Sequence, residues 1–220
     1  MKKLILLAAL ATGLMFTAKA QENGFGVRAG LNLSNVRGDF KDAFDSDVKM
    51  KAGFNIGVIY DYGFSESFYI QPGLYYTLKG VKAEDKEDSE LKMTYNLSYL
   101  EIPILASYRI AISDNTKWHI NAGPYFAYGI GGKVKYEYDG DSEKYDAFGK
   151  SDEDKEKGDL KRFDFGLSFG TGVSFDKFYV GLKYDLGLSN IGEKDRWYKG
   201  EDDKAKIKTG NFAISVGYNF

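Results

Sequence analysis

Asn211-Phe212-Ala213-Ile214-Ser215-Val216-Gly217-Tyr218-Asn219-Phe220 reads as two interleaved sets of residues. Phe212, Ile214, Val216, Tyr218 and Phe220 are large and apolar. Asn211, Ala213, Ser215, Gly217 and Asn219 are small or polar. A period of two puts each set on its own face of a β-strand. The pattern repeats upstream. Phe178, Val180, Leu182, Tyr184, Leu186 and Leu188 alternate with residues such as Gly181, Lys183 and Asp185. Phe163, Phe165, Leu167, Phe169, Thr171, Val173 and Phe175 alternate with Asp164, Ser168 and four further small residues. One face is apolar throughout; the other is small, polar or charged.

Extending this reading gives strands near 24–34, 51–62, 68–79, 95–110, 117–129, 161–175, 178–189 and 207–220. A tilted strand crossing a bilayer needs roughly 9–11 residues, which these supply. Residues 63–67, 111–116 and 176–177 are short turns; 35–50, 80–94, 130–160 and 190–206 are long and mostly charged. Short turns at one end and long loops at the other predict an all-β fold, an eight-stranded antiparallel transmembrane β-barrel with short periplasmic turns and long extracellular loops. Pro72, Pro103 and Pro124 fall inside these strands. Proline removes a ladder donor and favours edges and bulges, and a closed barrel has no edge. Bulges or different strand limits are therefore expected there.

The aromatic residues at the predicted periplasmic ends are Phe25, Tyr60, Tyr62, Phe68, Tyr108, Trp118, Phe175, Phe178, Tyr218 and Phe220, an interfacial girdle. The chain has 17 Tyr, 16 Phe and 26 Gly but only 3 Pro and no Cys. Without Cys there is no lipoprotein anchor, disulfide or thiolate metal site. Met1-Lys2-Lys3, an apolar run from Leu4 to Phe16 and Ala18-Lys19-Ala20 predict a cleaved signal peptide over 1–20, with the barrel domain over 21–220. The balance of 30 basic to 32 acidic residues gives no basic excess for a nucleic-acid partner.

The order of several segments resembles the PorT-like outer-membrane β-barrel domains of Bacteroidetes. These are Gly24-Phe25-Gly26-Val27-Arg28-Ala29-Gly30-Leu31-Asn32-Leu33-Ser34, Ile70-Gln71-Pro72-Gly73-Leu74-Tyr75-Tyr76, Tyr99-Leu100-Glu101-Ile102-Pro103-Ile104, Asn121-Ala122-Gly123-Pro124-Tyr125 and Val216-Gly217-Tyr218-Asn219-Phe220. The resemblance implies an eight-stranded barrel in the outer membrane of a Gram-negative bacterium, with proline tolerated at these places. It implies no defined activity, and the secretion role behind the family's name does not follow from a shared barrel.

The inward face carries Arg28, Lys79, Arg109 and Lys183 against Asp61, Glu101, Asp164 and Asp185. A narrow barrel fills its interior with side chains, and buried charges must pair, so a lumen ion-pair network is expected. Arg28, Glu101, Lys183 and Asp185 are expected at mid-membrane, Asp61, Arg109 and His119 at the periplasmic mouth, and Lys79 and Asp164 at the outer mouth. Glu101 is expected to pair with Arg28 or Lys183. His119, the only histidine, cannot build a multi-His metal site; beside Asp61 it is the one candidate base for a lipid- or peptide-modifying barrel enzyme. No G-x-S-x-G is present. Residues 137–159 are rich in carboxylates, but the Asp139, Asp141, Glu143 alternation has Lys144 where a calcium loop needs glycine, so a solvated loop is expected. Trp118, Phe178, Phe212, Tyr218 and Phe220 form the aromatic girdle and a C-terminal assembly signal for the barrel-assembly machinery.

The expectation is a structural or surface-interaction barrel, with no catalysis, cofactor or metal. Its partners are outer-membrane lipid, the assembly machinery and an external partner of the long loops. A barrel enzyme using His119 and a small-solute or ligand-binding barrel are the alternatives.

Overall fold

The computed structural model describes residues 23–38, 46–85, 91–149, 157–192 and 206–220. The predicted signal peptide and parts of the long connections lie outside them. The strands are β1 (Gly24–Gly38), β2 (Ser46–Gly63), β3 (Phe68–Asp85), β4 (Lys92–Ser113), β5 (Thr116–Tyr138), β6 (Asp141–Phe148), β7 (Lys157–Leu160), β8 (Phe163–Phe175), β9 (Phe178–Gly187) and β10 (Ile207–Asn219). Antiparallel pairing runs β4-β3-β2-β1-β10-β9-β8-β5, and a β4–β5 ladder closes the ring. Eight strands therefore form the barrel. Closure leaves no barrel strand with an open edge in the membrane, where an unpaired backbone group is costly.

The alternation read from the sequence sets the two faces. Phe165, Leu182 and Ile214 are exposed on the outside, as are Leu31, Ile56 and Ile104. The inward positions Asn32, Glu101, Asp164, Ser168 and Asp185 are almost fully buried.

Three expectations are corrected. First, several strands run past their predicted ends: β2 begins at Ser46, β3 reaches Asp85, and β4 begins at Lys92. Second, residues 130–160 are not one loop. β5 continues to Tyr138, Asp139 and Gly140 form a two-residue turn with φ of 47° and 84°, and β6 returns alongside β5 from Tyr138↔Asp141 to Lys133↔Asp146. Two successive positive φ values are what a tight hairpin needs, and Asp-Gly supplies them at low cost. Third, the prolines cause no bulge and end no strand. The β3–β4 register is the same at Pro72↔Ile104 and at Tyr75↔Glu101, and the β4–β5 register is the same at Pro103↔Tyr125 and at Ala106↔Ala122. A strand residue directs its N–H to one neighbour only, so each proline removes one bond and the ladder resumes beyond it. The register shifts fall elsewhere, at Met50/Asn55, Ser98/Tyr99 and Ala111/Ser113.

The extensions build a second layer of core. Beyond the lipid-facing belt, β2, β3, β4, β5 and β6 continue as a sheet whose inner face is apolar. Val81, Ala83, Met93, Tyr95, Leu97 and Val134 pack there with Ala147, Phe148, Leu160, Ile191 and Ile207. Phe148 lies over two glycines: a Cβ at Gly129 would sit 2.5 Å from its ring, and one at Gly132 2.9 Å. Its ring also meets Tyr99 edge-on at 5.6 Å. Burying such a side chain contributes about 1.5–3 kcal/mol. The result is an apolar cap over the outer end of the lumen.

Candidate functional site

Below the cap, the lumen is polar. Glu101 on β4 is fully buried and meets two cations. Its Oε2 lies 2.7 Å from Lys79 Nζ on β3, and its Oε1 lies 2.7 Å from Lys183 Nζ on β9. Lys183 also lies 3.1 Å from Asp185 Oδ2. Ser168 donates to Asp185 Oδ1 at 2.6 Å, and Asn211 donates to Asp185 Oδ2 at 3.0 Å. Asp164 accepts from Ser189 at 2.6 Å, from Thr209 at 2.8 Å and from Tyr125 at 3.2 Å. Tyrosine rings complete the shell: Lys79 Nζ is 4.7 Å from the Tyr125 ring centre, and Lys183 Nζ is 5.3 Å from that of Tyr75. Buried charges cost several kcal/mol each unless paired and hydrogen-bonded, and these carboxylates are each held by two or more partners. Glycine opposite the rings makes the space. A Cβ at Gly57 would lie 2.6 Å from the Tyr75 ring.

Lys79 and Asp164 were expected at the outer mouth. Both are buried: β3 runs on from Lys79 to Asp85, and the apolar cap stands above Asp164, which sits one residue from the start of β8. What the sequence placed at an opening is interior. Arg28 does not reach Glu101. It donates to Asn219 Oδ1 at 2.7 Å and lies 4.3 Å from the centre of the Tyr179 ring.

A second cluster occupies the periplasmic half. Arg109 Nη2 lies 2.6 Å from Asp61 Oδ1, which also accepts from Gln71 at 2.7 Å. The Arg109 guanidinium stacks 3.8 Å from the Tyr69 ring centre. His119 is buried; its Nε2 is 2.8 Å from Ser174 Oγ, and its ring meets Tyr179 edge-on at 5.4 Å. The serine partner was not read from the sequence. It follows from the β5–β8 register, which brings together residues 55 apart in the chain. Asp61 spends its Oδ1 on Arg109 and Gln71.

Between the two clusters lies a cavity of about 40 Å³, bordered by Arg28, Gln71, Tyr75 and Asn121. A water needs about 10–15 Å³ of such space, so the cavity takes waters and not a solute. At the periplasmic end a cup of about 410 Å³ is lined by Asp61, Arg109, Lys117, Ser174, Lys177 and Phe220. Among the described residues no group of three or more His, Cys, Asp or Glu could hold a metal ion. The expected solvated acidic loop is instead partly strand: Asp141 and Glu143 lie on β6, and residues 150–156 fall outside the described part.

Two aromatic bands border the apolar belt. At the turn end, Phe25 packs on Tyr60 at 4.9 Å, Phe178 on Tyr218 at 5.5 Å, and Tyr218 on Phe220 at 5.3 Å. Trp118 faces outward and donates to Thr171 at 2.7 Å. Phe64, in the β2–β3 turn, joins this band through Tyr62 at 4.9 Å. Phe212 stands apart from it, farther along β10, where it pairs with Leu33 and Tyr184. The second band, Tyr76, Tyr128, Phe163 and Tyr184, lies at the opposite end and was not singled out in the sequence; Phe54 meets Tyr76 there at 6.0 Å.

A closed antiparallel ring with an apolar exterior, two aromatic bands and an ion-paired lumen defines a transmembrane β-barrel of the outer-membrane type. The chain belongs to the family described as outer membrane protein beta-barrel domain, whose model matches residues 19–193. It lies in the outer membrane of a Gram-negative bacterium, with its belt in lipid. No curated protein matches. Among solved structures it is similar to Ail, the attachment invasion locus protein of Yersinia pestis, at 18% identity over 91% of this chain and 100% of that one, with a TM-score of 0.44. It is similar to OprG from Pseudomonas aeruginosa at 11% identity over 90% and 95%, with a TM-score of 0.45. It is also similar to the outer membrane enzyme PagL at 11% identity over 88% and 98%, with a TM-score of 0.43.

Proposed function

We propose that this protein is a non-catalytic structural barrel whose role is to hold a rigid sheet outside the membrane for contact with a partner. The observation that carries the reading is the filled interior. The Glu101 network occupies the lumen, and the Phe148 cap stands over it. What remains for interaction is the sheet formed by the upper parts of β2 to β6. The long connections place this sheet outside the cell and the short turns in the periplasm.

The chain contains no cysteine, which makes the test clean. Lys144→Cys should react with a membrane-impermeant maleimide on intact cells, and Lys177→Cys only after permeabilisation. The reverse pattern overturns the orientation. The purified protein in planar bilayers should give no single-channel steps; resolved steps overturn the filled-lumen reading.

The segment order supports placing the chain among the PorT-like domains of Bacteroidetes. We also infer removal of residues 1–20 on export and delivery to the barrel-assembly machinery through the strand ending in Phe220. Deleting Phe220 should reduce the folded, heat-modifiable species. An enzyme using His119 is the second reading, supported by its 2.8 Å contact with Ser174 at the edge of the periplasmic cup. Loss of a lipid- or peptide-modifying activity in Ser174→Ala, with folding intact, would replace the first reading by this one.

A further inference from the structure

The outer face of the extended sheet carries a cluster of lysines across β2 to β6. The pairing register sets Lys49, Lys82, Thr94, Lys135 and Lys144 in one row across five neighbouring strands. Lys51, Lys92 and Lys133 flank this row on the same face. Among the described residues, the carboxylates that the register puts on this face are Asp47, Glu84, Glu137 and Asp146. Lys49 pairs with Glu84, Lys135 with Glu137 at 2.5 Å, and Lys133 with Asp146 at 2.6 Å. Lys82, Lys92 and Lys144 are exposed and have no carboxylate in ion-pair contact among the described residues. On the other arc, Lys208 stands half-exposed on the outer face of β10, whereas two arginines are turned onto the backbone. Arg37 donates to Gly187 O at 2.8 Å and to Thr209 O at 3.1 Å, and Arg162 donates to Gly129 O at 2.7 Å.

The height of the row matters as much as its charge. The same face, on the same strands, is lipid-facing immediately below. On β5 it passes from Phe126, Tyr128 and Ile130 to Lys133 and Lys135; on β2 it passes from Phe54 to Lys51 and Lys49. A strand rises about 3.3 Å per residue, so the lysines begin within about 10 Å of the last lipid-facing side chains. The bulges at Met50/Asn55 and Ser98/Tyr99 shift the alternation at this level and bring lysines to the outside of β2 and β5. A soluble partner could meet these charges at any height. A row fixed one step above the hydrocarbon matches the anionic headgroups of the surrounding leaflet.

We propose that this lysine row binds the phosphates of the lipopolysaccharide headgroup, so that one arc of the barrel recruits phosphorylated lipid A as its annular lipid. The inference rests on the outward orientation given above. Ammonium groups at the surface of an anionic membrane gain attraction that adds roughly per lysine and is screened by salt.

The test uses the full-length protein in phosphatidylcholine nanodiscs doped with bisphosphorylated lipid A, or with the same lipid after dephosphorylation. The lipid co-isolated with the protein is counted by native mass spectrometry. The wild type should retain the phosphorylated lipid and not the dephosphorylated one. Lys82→Gln alone should weaken retention about fivefold, and Lys82→Gln, Lys92→Gln and Lys144→Gln together about a hundredfold. The corresponding triple arginine variant should retain it. Heat-modifiable mobility checks folding, and the single variant decides the matter if the triple fails to fold. Unchanged retention in the folded triple variant, or in Lys82→Gln where only that one folds, overturns the proposal, as does equal retention of dephosphorylated lipid. A sulfated polysaccharide that binds the nanodiscs and loses affinity in the glutamine variant, with lipid A retention unaltered, assigns the row to a soluble polyanion and overturns it too. Labelling on intact cells at Asp141→Cys, at the hairpin tip and off the lysine row, separates the failures. If it labels and retention does not depend on the lysines, only this inference falls; if it is protected, the outward sheet falls with it.

Discussion

On either side of Tyr99, strand β4 obeys opposite rules. Toward the periplasm, Leu100, Ile102 and Ile104 face outward and are exposed, while Glu101, Ser107 and Arg109 face inward and are buried. Toward the outside, Met93, Tyr95 and Leu97 are the buried inward residues, and Lys92 and Asn96 are exposed. The parity of β4 does not change; the chemistry of its two faces does. The medium explains this. Against lipid, apolar residues cover the outside and polar groups satisfy one another inside. Above the lipid, water surrounds the sheet, and ordinary burial of apolar residues resumes. One strand thus belongs to a membrane protein below and to a water-exposed sheet above, and the junction carries the aromatic band and the start of the lysine row.

The largest expected effect lies in the lower region. Glu101→Ala removes the carboxylate shared by Lys79 and Lys183 and leaves two buried ammonium groups facing each other. Loss of a buried ionic partner costs about 3–5 kcal/mol. Urea unfolding of the detergent-solubilised barrel should show a loss of this size; a loss under about 1 kcal/mol, the size of a surface pair, would mean that water compensates the lumen. Next, in the upper region, Phe148→Ala opens the cap over Gly129 and Gly132. Large-to-small core changes cost about 3–5 kcal/mol for phenylalanine, less where the site can collapse. Here the rest of the barrel should stay intact, so hydrogen exchange should accelerate in β6 and the upper ends of β4 and β5 before the amides around Glu101. Simultaneous acceleration at Glu101 would show that cap and lumen are one cooperative unit.

The lower region was largely legible in the sequence because lipid enforces a plain rule. Alternation with large apolar residues on one face marked all eight barrel strands, and parity alone put Glu101, Lys183 and Asp185 on the inner face. The upper region was hidden by the same rule. Reading strands by their apolar outward face ends β3 at about Lys79, where outward residues turn to lysine and glutamate, although the inward alternation of Val81 and Ala83 continues. This early ending is also why Lys79 was placed at a mouth; Asp164 was placed there because β8 starts beside it, and the cap that covers it is built from the segments this reading left out. The β5–β6 hairpin did carry a signal, Asp139-Gly140 between alternating segments, which was overshadowed by the density of carboxylates around it. The contact of His119 with Ser174 had none, since it depends on the register between β5 and β8.

A paired substitution on one face of β4 tests the inversion directly. Ile104→Lys puts a cation on the lipid face near the middle of the belt, which costs about 2–4 kcal/mol. Asn96→Lys puts the same side chain on the same face of the same strand above the belt, where surface changes stay within about 0.5 kcal/mol. Unfolding from lipid vesicles should separate the two variants clearly. Equal costs would mean that the hydrocarbon reaches Asn96 and that the inversion at Tyr99 has another cause.

The smallest effect is expected at the tip of the upper sheet. There Lys135 pairs with the exposed Glu137 at 2.5 Å, and that hydrogen bond is the main reason the Glu137 carboxyl titrates below the usual carboxylate range. A lowered carboxyl pKa gives a contribution that is present above the unfolded value and lost as the pH falls through the folded one. The amides of Tyr136 and Glu143, paired across the hairpin, should therefore keep their protection factors from neutral pH down to the ordinary carboxylate range and loosen only below it. In Lys135→Gln the pair is absent at every pH, so the hairpin should already be less protected at neutral pH and should loosen little further as Glu137 titrates, while the Glu101 layer stays unchanged. The contrast follows from solvent access: water screens the pair at the tip, but not the carboxylate that Lys79 and Lys183 share in the lumen. If acid released the lumen before the hairpin, water would have to reach Glu101 more readily than Glu137, and the separation of the molecule into a dry lower network and a wetted upper sheet would fail.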